Sequence, residues 1–213
     1  MYVPKFFRIE DPQVILSLIE EHPLGALITP TPAQLHITHV PFGVYGVYGV
    51  GPGARLGGHM ARANPHWRVL SDHPAATVVF SGPNAYVSPT WYDHRNVPTW
   101  NYLAIHVHGP VTVITEPEAR RRAMSAQVDR YESARPDPYR LGEQPDDFVH
   151  AQMRGIVVFE LQIERMECTA KLSQNRDANN RAAIMERLRA RGRTADAATA
   201  ALMERLGRAS DEG

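Results

Sequence analysis

From Gly155 to Met166 the sequence alternates with a period of two. Val157, Phe159, Leu161 and Ile163 are apolar, and Glu160, Gln162 and Glu164 between them are polar. That period belongs to a strand with one face in a core and the other toward water. The run is long enough to cross a barrel, and a strand of that kind needs partners. Several short runs can supply them. Leu24 to Thr29 and Leu35 to Phe42 flank a proline-rich turn and predict a hairpin, with Leu35, Ile37 and His39 on one face and His36, Thr38 and Val40 on the other. Thr77 to Phe80 and Ala85 to Ser88 read as two strands separated by Gly82-Pro83. Asn101 to Gly109 alternates again, with Leu103, Ile105 and Val107 one way and Tyr102, Ala104, His106 and His108 the other, and Val111 to Ile114 continues the sheet.

Helices fall between these strands without the regular alternation of βαβ units. Asp11-Pro12 opens one that closes at His22-Pro23, and Asn64-Pro65 starts a short one reaching about Asp72. Thr115-Glu-Pro-Glu118 reads as a capping box for a helix to about Tyr131 that buries Ala123, Met124 and Val128. A further short helix spans Asp146 to Met153. The chain ends in two more, Asp177 to Arg191 and Thr194 to Leu206, with Gly192 and Gly207 as stops. The fold class expected is α+β and mainly β: a barrel with peripheral helices and a C-terminal helical segment. Residues 1–176 form the barrel domain, and 177–213 a helical appendage of the same domain.

Bulk properties exclude several roles. The 23 basic and 23 acidic residues cancel, which argues against a strongly basic nucleic-acid surface. The lone cysteine, Cys168, rules out an intramolecular disulfide and a multi-cysteine zinc site, and a cytoplasmic, reducing compartment fits. No signal peptide or membrane span is expected, because neither an apolar N-terminal region nor an apolar run near 18 residues is present.

Chemistry concentrates in Gly57-Gly-His-Met-Ala-Arg-Ala-Asn-Pro-His-Trp-Arg68. Two arginines, two histidines and an amide behind a glycine pair suit a phosphate or another planar anion. A solvated strand-to-helix connection accounts for the same residues. Pro98-Thr-Trp-Asn-Tyr102 brings two aromatics, a hydroxyl and an amide into a strand, a set that can wall a flat ring or pack a barrel end. His106 and His108 share a strand face, but no third ligand is placed by sequence, and no metal site is expected. Gly49-x-Gly51-x-Gly53 lies in a hairpin-like segment and is a weak phosphate-loop signal. Neither a Gly-x-Ser-x-Gly elbow nor a Walker loop occurs.

Several separated motifs read together narrow the field. They are Met-Tyr-Val-Pro (1–4), Thr-His-Val-Pro-Phe (38–42), Gly-His-Met-Ala-Arg-Ala-Asn-Pro (58–65) and Gly-Pro-Asn-Ala-Tyr-Val-Ser-Pro (82–89). Val-Pro-Thr-Trp-Asn-Tyr (97–102), His-Val-His-Gly (106–109) and Lys-Leu-Ser-Gln-Asn (171–175) complete the set. In this order, over residues 1 to about 190, the chain resembles the PaiB family, described as FMN-binding negative transcriptional regulators. The resemblance implies a split β-barrel like that of pyridoxamine-phosphate oxidases, with FMN at the interface of a homodimer. It implies Arg62, Asn64 and His59 at the phosphate and Thr38 and His39 on a cofactor-lining strand. Trp100 and Asn101 would approach the isoalloxazine, and Lys171, Ser173 and Gln174 would reach the partner subunit's site. One departure is His36-Ile-Thr-His-Val40, which stands where the oxidase branch has a basic Arg-x-Val-Leu-Leu-Lys pattern, so the oxidase's own phosphate contacts do not carry over. The function implied is an FMN-binding regulator. The alternative is an FMN-dependent oxidoreductase or flavin reductase, with His39, His59 and His106 as acid–base candidates, and haem or metal binding through His106 and His108 stands further off. The terminal helices carry five arginines (181, 187, 189, 191 and 193) but read better as a helical hairpin or dimer contact than as a DNA reader.

Overall fold

A computed structural model describes residues 1–45 and 53–208. The glycine-rich tip expected at 44–53 lies largely outside the described residues, as does most of the Gly-x-Gly-x-Gly segment. Nine strands are described: β1 Arg8–Ile9, β2 Leu24–Pro30, β3 Leu35–Pro41, β4 Gly43–Tyr45, β5 Arg55–Ala61, β6 Ala75–Val87, β7 Thr99–Ile114, β8 Ile156–Gln162 and β9 Arg165–Lys171. Hydrogen-bonded neighbours run β3-β2-β6-β7-β8-β5-β4, with β9 joined to β7 and β1 to β9. Six α-helices are described beside them: α1 Pro12–Glu21, α2 His66–Asp72, α3 Pro117–Glu132, α4 Asp146–Arg154, α5 Ala178–Ala190 and α6 Thr194–Arg208. No helix among the described residues is long and apolar enough to cross a membrane.

The chain clusters into two compact units. The second comprises Ile19–Val79 and Val107–Met166. Here β2 and β3 form the expected antiparallel hairpin, Leu24 opposite Pro41 and Pro30 opposite Leu35. The inward residue Val40 is buried, while Leu35 and Ile37 are exposed. Strand β8 lies between β5 and β7, pairing Gly58 with Phe159 and Val113 with Phe159. Phe159 meets Phe42 edge to face at 6.1 Å. A Cβ on Gly58 would stand 3.0 Å from Val40 Cγ1 and 3.1 Å from Phe159, so glycine there lets β5 lie close over this core.

The first unit comprises Met1–Leu18, Phe80–His106 and Glu167–Gly213. The α5–α6 hairpin belongs to it. Asp177 caps α5 by accepting from the Asn180 amide at 2.9 Å, and Gly192, with φ of +68°, turns the chain toward α6. Ile184, Leu188, Ala200 and Met203 are fully buried apolar side chains of the two helices, joined by Thr199. Cys168 is buried on β9, and burial pushes its thiol up to about 12, so it carries no thiolate at neutral pH.

Four expectations about elements need correction. The long strand expected to run to Met166 is two strands: β8 ends at Gln162 and β9 begins at Arg165, although the Ile163 and Glu164 amides still donate to the Ala54 and His108 carbonyls at 3.0 and 2.9 Å, in register with the β5–β8 and β7–β8 pairs. Residues 75–87 are one strand. Its buried positions switch from Ala76, Val78 and Phe80 to Ala85 and Val87, so the parity changes across the Gly82-Pro83 segment without ending the strand. The cap of α3 is Glu116, whose carboxylate accepts from Glu118 and Ala119, and the buried side chain of that helix is Gln127, with Ala123, Met124 and Val128 half-buried. Helix α6 runs through Gly207, where a Cβ would meet Arg181 Nη2 at 1.9 Å.

Candidate functional site

In the second unit the Gly57–Arg68 stretch becomes β5, a turn and α2. Its hub is His66, which is 2% exposed. His66 Nδ1 meets Thr38 Oγ1 at 2.8 Å and Nε2 meets Thr29 Oγ1 at 3.0 Å. Asn64 ties the cluster: its Nδ2 donates to Thr38 Oγ1 at 3.1 Å and its Oδ1 accepts from the His66 amide at 3.0 Å. A neutral imidazole offers one donor and one acceptor, and the two hydroxyls satisfy both. Burial, helped by His36 with its ring 5.7 Å away, holds the His66 pKa below its ordinary 6.5.

That depression has a sign in stability. Below pH 6.5 the unfolded chain takes up a proton that the folded His66 refuses, so stability falls as pH drops through 6.5 toward the depressed folded value. Urea midpoints measured at pH 7.5, 6 and 5 are expected to fall more steeply in the parent than in a His66→Asn variant. Identical pH slopes for the two proteins would remove His66 from the acid response.

Arg62 is committed within the protein. Its Nε donates to the Arg154 carbonyl at 2.8 Å and its Nη2 to the Ile156 carbonyl at 3.1 Å, while its own carbonyl accepts from Trp67 Nε1 at 3.0 Å. The guanidinium thus satisfies carbonyls left open where α4 ends and β8 begins. Arg62→Ala is expected to cost about 1–2 kcal/mol in folding stability through lost charge-assisted hydrogen bonds. A large loss of FMN affinity with an unchanged urea midpoint would instead make Arg62 a ligand residue. His59 Nδ1 lies 3.0 Å from Gln127 Oε1, and Gln127 Nε2 donates to the Pro41 carbonyl at 3.2 Å. The carbonyl fixes the amide orientation, so His59 Nδ1 is the donor and neutral His59 presents a bare Nε2. His39 is exposed on the outer side of β3, away from Thr38.

In the first unit Trp100 and Asn101 part company. Asn101 is fully buried, with Nδ2 donating to Met203 Sδ at 3.3 Å and Oδ1 accepting from Ser173 Oγ at 3.0 Å. Trp100 is 51% exposed and meets Tyr86 edge to face at 6.3 Å. It forms one wall of a cleft of about 330 Å³ with Ser81, Gly82, Asn84, Tyr102, Leu103 and Ala104. A Cβ on Gly82 would come within 2.6 Å of Leu103 Cδ2, so glycine lets the Leu103 side chain lie close against this part of the cleft. The volume lies within the usual span of small-molecule pockets. Tyr86 and Asn84 were absent from the expected ligand set, although both lie in the Gly82–Pro89 motif; a two-residue period starting at Ala85 would have turned both outward.

The Lys171–Asn175 motif makes the turn after β9. Ser173 adopts φ of 62°, and Gln174 closes the turn by accepting from the Leu172 amide at 2.7 Å and donating to the Ala170 carbonyl. The Lys171 ammonium donates to Thr99 Oγ1, and burial, with Arg176 nearby, lowers its pKa. The structure therefore joins Thr38 with Asn64 in one cluster and places His59 and Arg62 in separate hydrogen-bonded pairings of the same unit. Trp100 lines the cleft, Asn101 packs the interior, and Lys171 and Gln174 sit at the turn after β9.

Comparison with known proteins accords with this fold. A family model described as "Putative FMN-binding domain" matches residues 1–165. The chain is 30% identical over 188 residues to the Bacillus subtilis protease synthase and sporulation protein PAI 2, covering 88% of this chain and 89% of that one. It is 28% identical over 162 residues to the Saccharomyces cerevisiae protein YKL070W, covering 64% of this chain and 94% of the yeast protein. Among solved structures, the conserved protein Rv2991 of Mycobacterium tuberculosis superposes with a TM-score of 0.58 at 16% identity, covering 80% of this chain and 91% of that one. The FAD and heme binding protein of Mycobacterium smegmatis gives 0.57 at 17%, covering 83% and 78%. The fold is the flavin-binding split barrel, and the chain belongs to the PaiB-type FMN-binding family.

Proposed function

We propose that the chain is an FMN-binding regulator of the PaiB type that works as a homodimer, with the flavin ring against the Trp100 cleft. The observation that carries the reading is the exposed indole beside Tyr86 and Tyr102 over a glycine floor. Large aromatic surfaces with one open side suit a flat heteroaromatic ring, and Asn84 and Ser81 supply polar groups for its edge. FMN supplies the redox chemistry when bound, and the chain's residues bind and orient it.

A second reading, an FMN-dependent oxidoreductase, is favoured by how the C-terminal arginines are used. Arg181 donates to the Met203 carbonyl at 3.2 Å, Arg189 pairs with Glu204 at 2.7 Å, and Arg191 pairs with Asp196 at 3.0 Å. Three of the five candidate DNA-contacting cations therefore hold the helical hairpin together. Titrating the purified chain with FMN while following flavin fluorescence tests the cofactor. Trp100→Ala is expected to weaken FMN at least tenfold, and an unchanged affinity would move the ring elsewhere. A salt-dependent mobility shift on promoter DNA supports the regulator. FMN-dependent NAD(P)H oxidation without such a shift supports the enzyme.

A further inference from the structure

Two half-buried cations of the first unit have no acidic partner among the described residues. Lys171 donates to the Thr99 hydroxyl, and Arg176 donates from Nη2 to Asn96 Oδ1 at 3.2 Å and stacks over the Tyr92 ring at 5.3 Å. Neither forms an ion pair among the described residues. The nearby carboxylates are engaged elsewhere. Asp93 accepts from Asn180 Nδ2 at 2.9 Å and meets His94 Nδ1 at 2.7 Å, and Asp177 caps α5. The two cations lie close enough that Arg176 disfavours the charged form of Lys171. Like charges drawn together at a partly desolvated place are costly unless something anionic arrives. A third observation is independent of charge. Asn96 Oδ1 is used by Arg176 and by the Val97 amide, yet Asn96 Nδ2 is buried with no partner. A buried, unanswered amide donor costs about 1–3 kcal/mol.

We propose that Lys171, Arg176 and Asn96 form a binding site for a small oxyanion, a phosphate group above all. The ammonium has protons left beyond the one given to Thr99, the guanidinium offers a planar fork, and Asn96 Nδ2 offers a neutral donor. A phosphate dianion answers all three and cancels the repulsion. The site is separate from the aromatic cleft of the same chain. Thr99 and Trp100 are consecutive on β7 and point to opposite faces, Thr99 on the side of buried Asn101. The proposal therefore stands whether or not the cleft holds a flavin. Two sources share this chemistry: the phosphate of FMN reaching in from a second copy, and the phosphate of a different small ligand.

Calorimetric titration of the full chain with inorganic phosphate at constant ionic strength tests the site. Lys171→Met and Arg176→Leu are each expected to weaken phosphate at least tenfold. Lys171→Arg should retain binding within about threefold, and Arg187→Ala, on the exposed side of α5, should leave it unchanged. Thermal melts run beside the titrations identify any variant that fails to fold, and the Lys171→Arg protein then carries the comparison. Repeating the titration with FMN already bound separates the sources: loss of the phosphate site assigns it to FMN, and its retention assigns it to another phosphorylated ligand. No phosphate binding to the parent chain, or equal binding by the Lys171→Met and Arg176→Leu proteins, overturns the proposal. FMN binding is read separately from flavin fluorescence, so a failure here does not mask a failure at the cleft.

Discussion

Gly109→Ala is expected to destabilise the chain by roughly 3 kcal/mol or more, an overpacking effect at the upper end of the usual range. A Cβ at this position would stand 1.7 Å from the Gln162 carbonyl oxygen and 2.9 Å from its carbon. Both are backbone atoms, so no flexible side chain can swing away. Immediate neighbours add to the constraint: the Glu164 amide donates to the His108 carbonyl at 2.9 Å, which draws the β8–β9 turn against β7. Relieving the clash would pull that hydrogen bond apart and shift β8 where it pairs with Val111 through Ile114. Urea denaturation of the parent and variant checks the result. A change below about 0.5 kcal/mol, the scale of an ordinary surface substitution, would mean that β7 and the turn separate more easily than their packing implies. Gly58→Ala is the natural comparison, because its Cβ would meet side chains at 3.0–3.1 Å and side chains can yield.

The same two strands show which parts of the fold were legible. The period of two in β7 placed Leu103, Ile105 and Val107 inward, and all three are buried. That phase also decides Asn101, which shares their parity and is buried, whereas Trp100 is not. Trp100 and Asn101 therefore face opposite sides of β7, as Thr38 and His39 face opposite sides of β3. The end of β8 was not legible in the same way. Alternation continues through Ile163 and Glu164, whose amides still reach the Ala54 and His108 carbonyls, so nothing in the residue pattern marks where β8 gives way to β9. Arg62 illustrates a chemical ambiguity. A guanidinium donates equally well to a phosphate or to backbone carbonyls, and which one it meets depends on where α4 ends. His66 shows the same dependence on distant partners: its two hydroxyl partners come from strands β2 and β3, 37 and 28 residues away.

Arg191→Ala is expected to destabilise the C-terminal hairpin by about 3 kcal/mol, because removing the half-exposed Arg191 leaves the buried Asp196 carboxylate without its cation. Asp196 is 3% exposed, and its Oδ2 lies 3.0 Å from Arg191 Nε. Arg191 also donates from Nη1 to the Tyr86 carbonyl at 2.9 Å and lies over the Trp91 ring at 5.5 Å. One side chain thus fastens the end of α5 to the start of α6 and to β6. Asp196 sits in the first turn of α6, where the helix dipole favours a negative charge and recovers part of its desolvation cost. The double variant Arg191→Met with Asp196→Leu is expected to be more stable than Arg191→Ala alone, since apolar replacement removes the buried Asp196 charge together with its half-exposed partner. Thermal melts of the two singles and the double complete the cycle. Additive losses would show that the charges act independently, and that Arg191 works through Tyr86 and Trp91 alone. The cycle also bears on function. A DNA reader needs its arginines free to meet phosphates and base edges, whereas strong coupling here means Arg191 is spent on holding the hairpin. A regulator built this way would have to contact DNA through another surface or act through a partner protein.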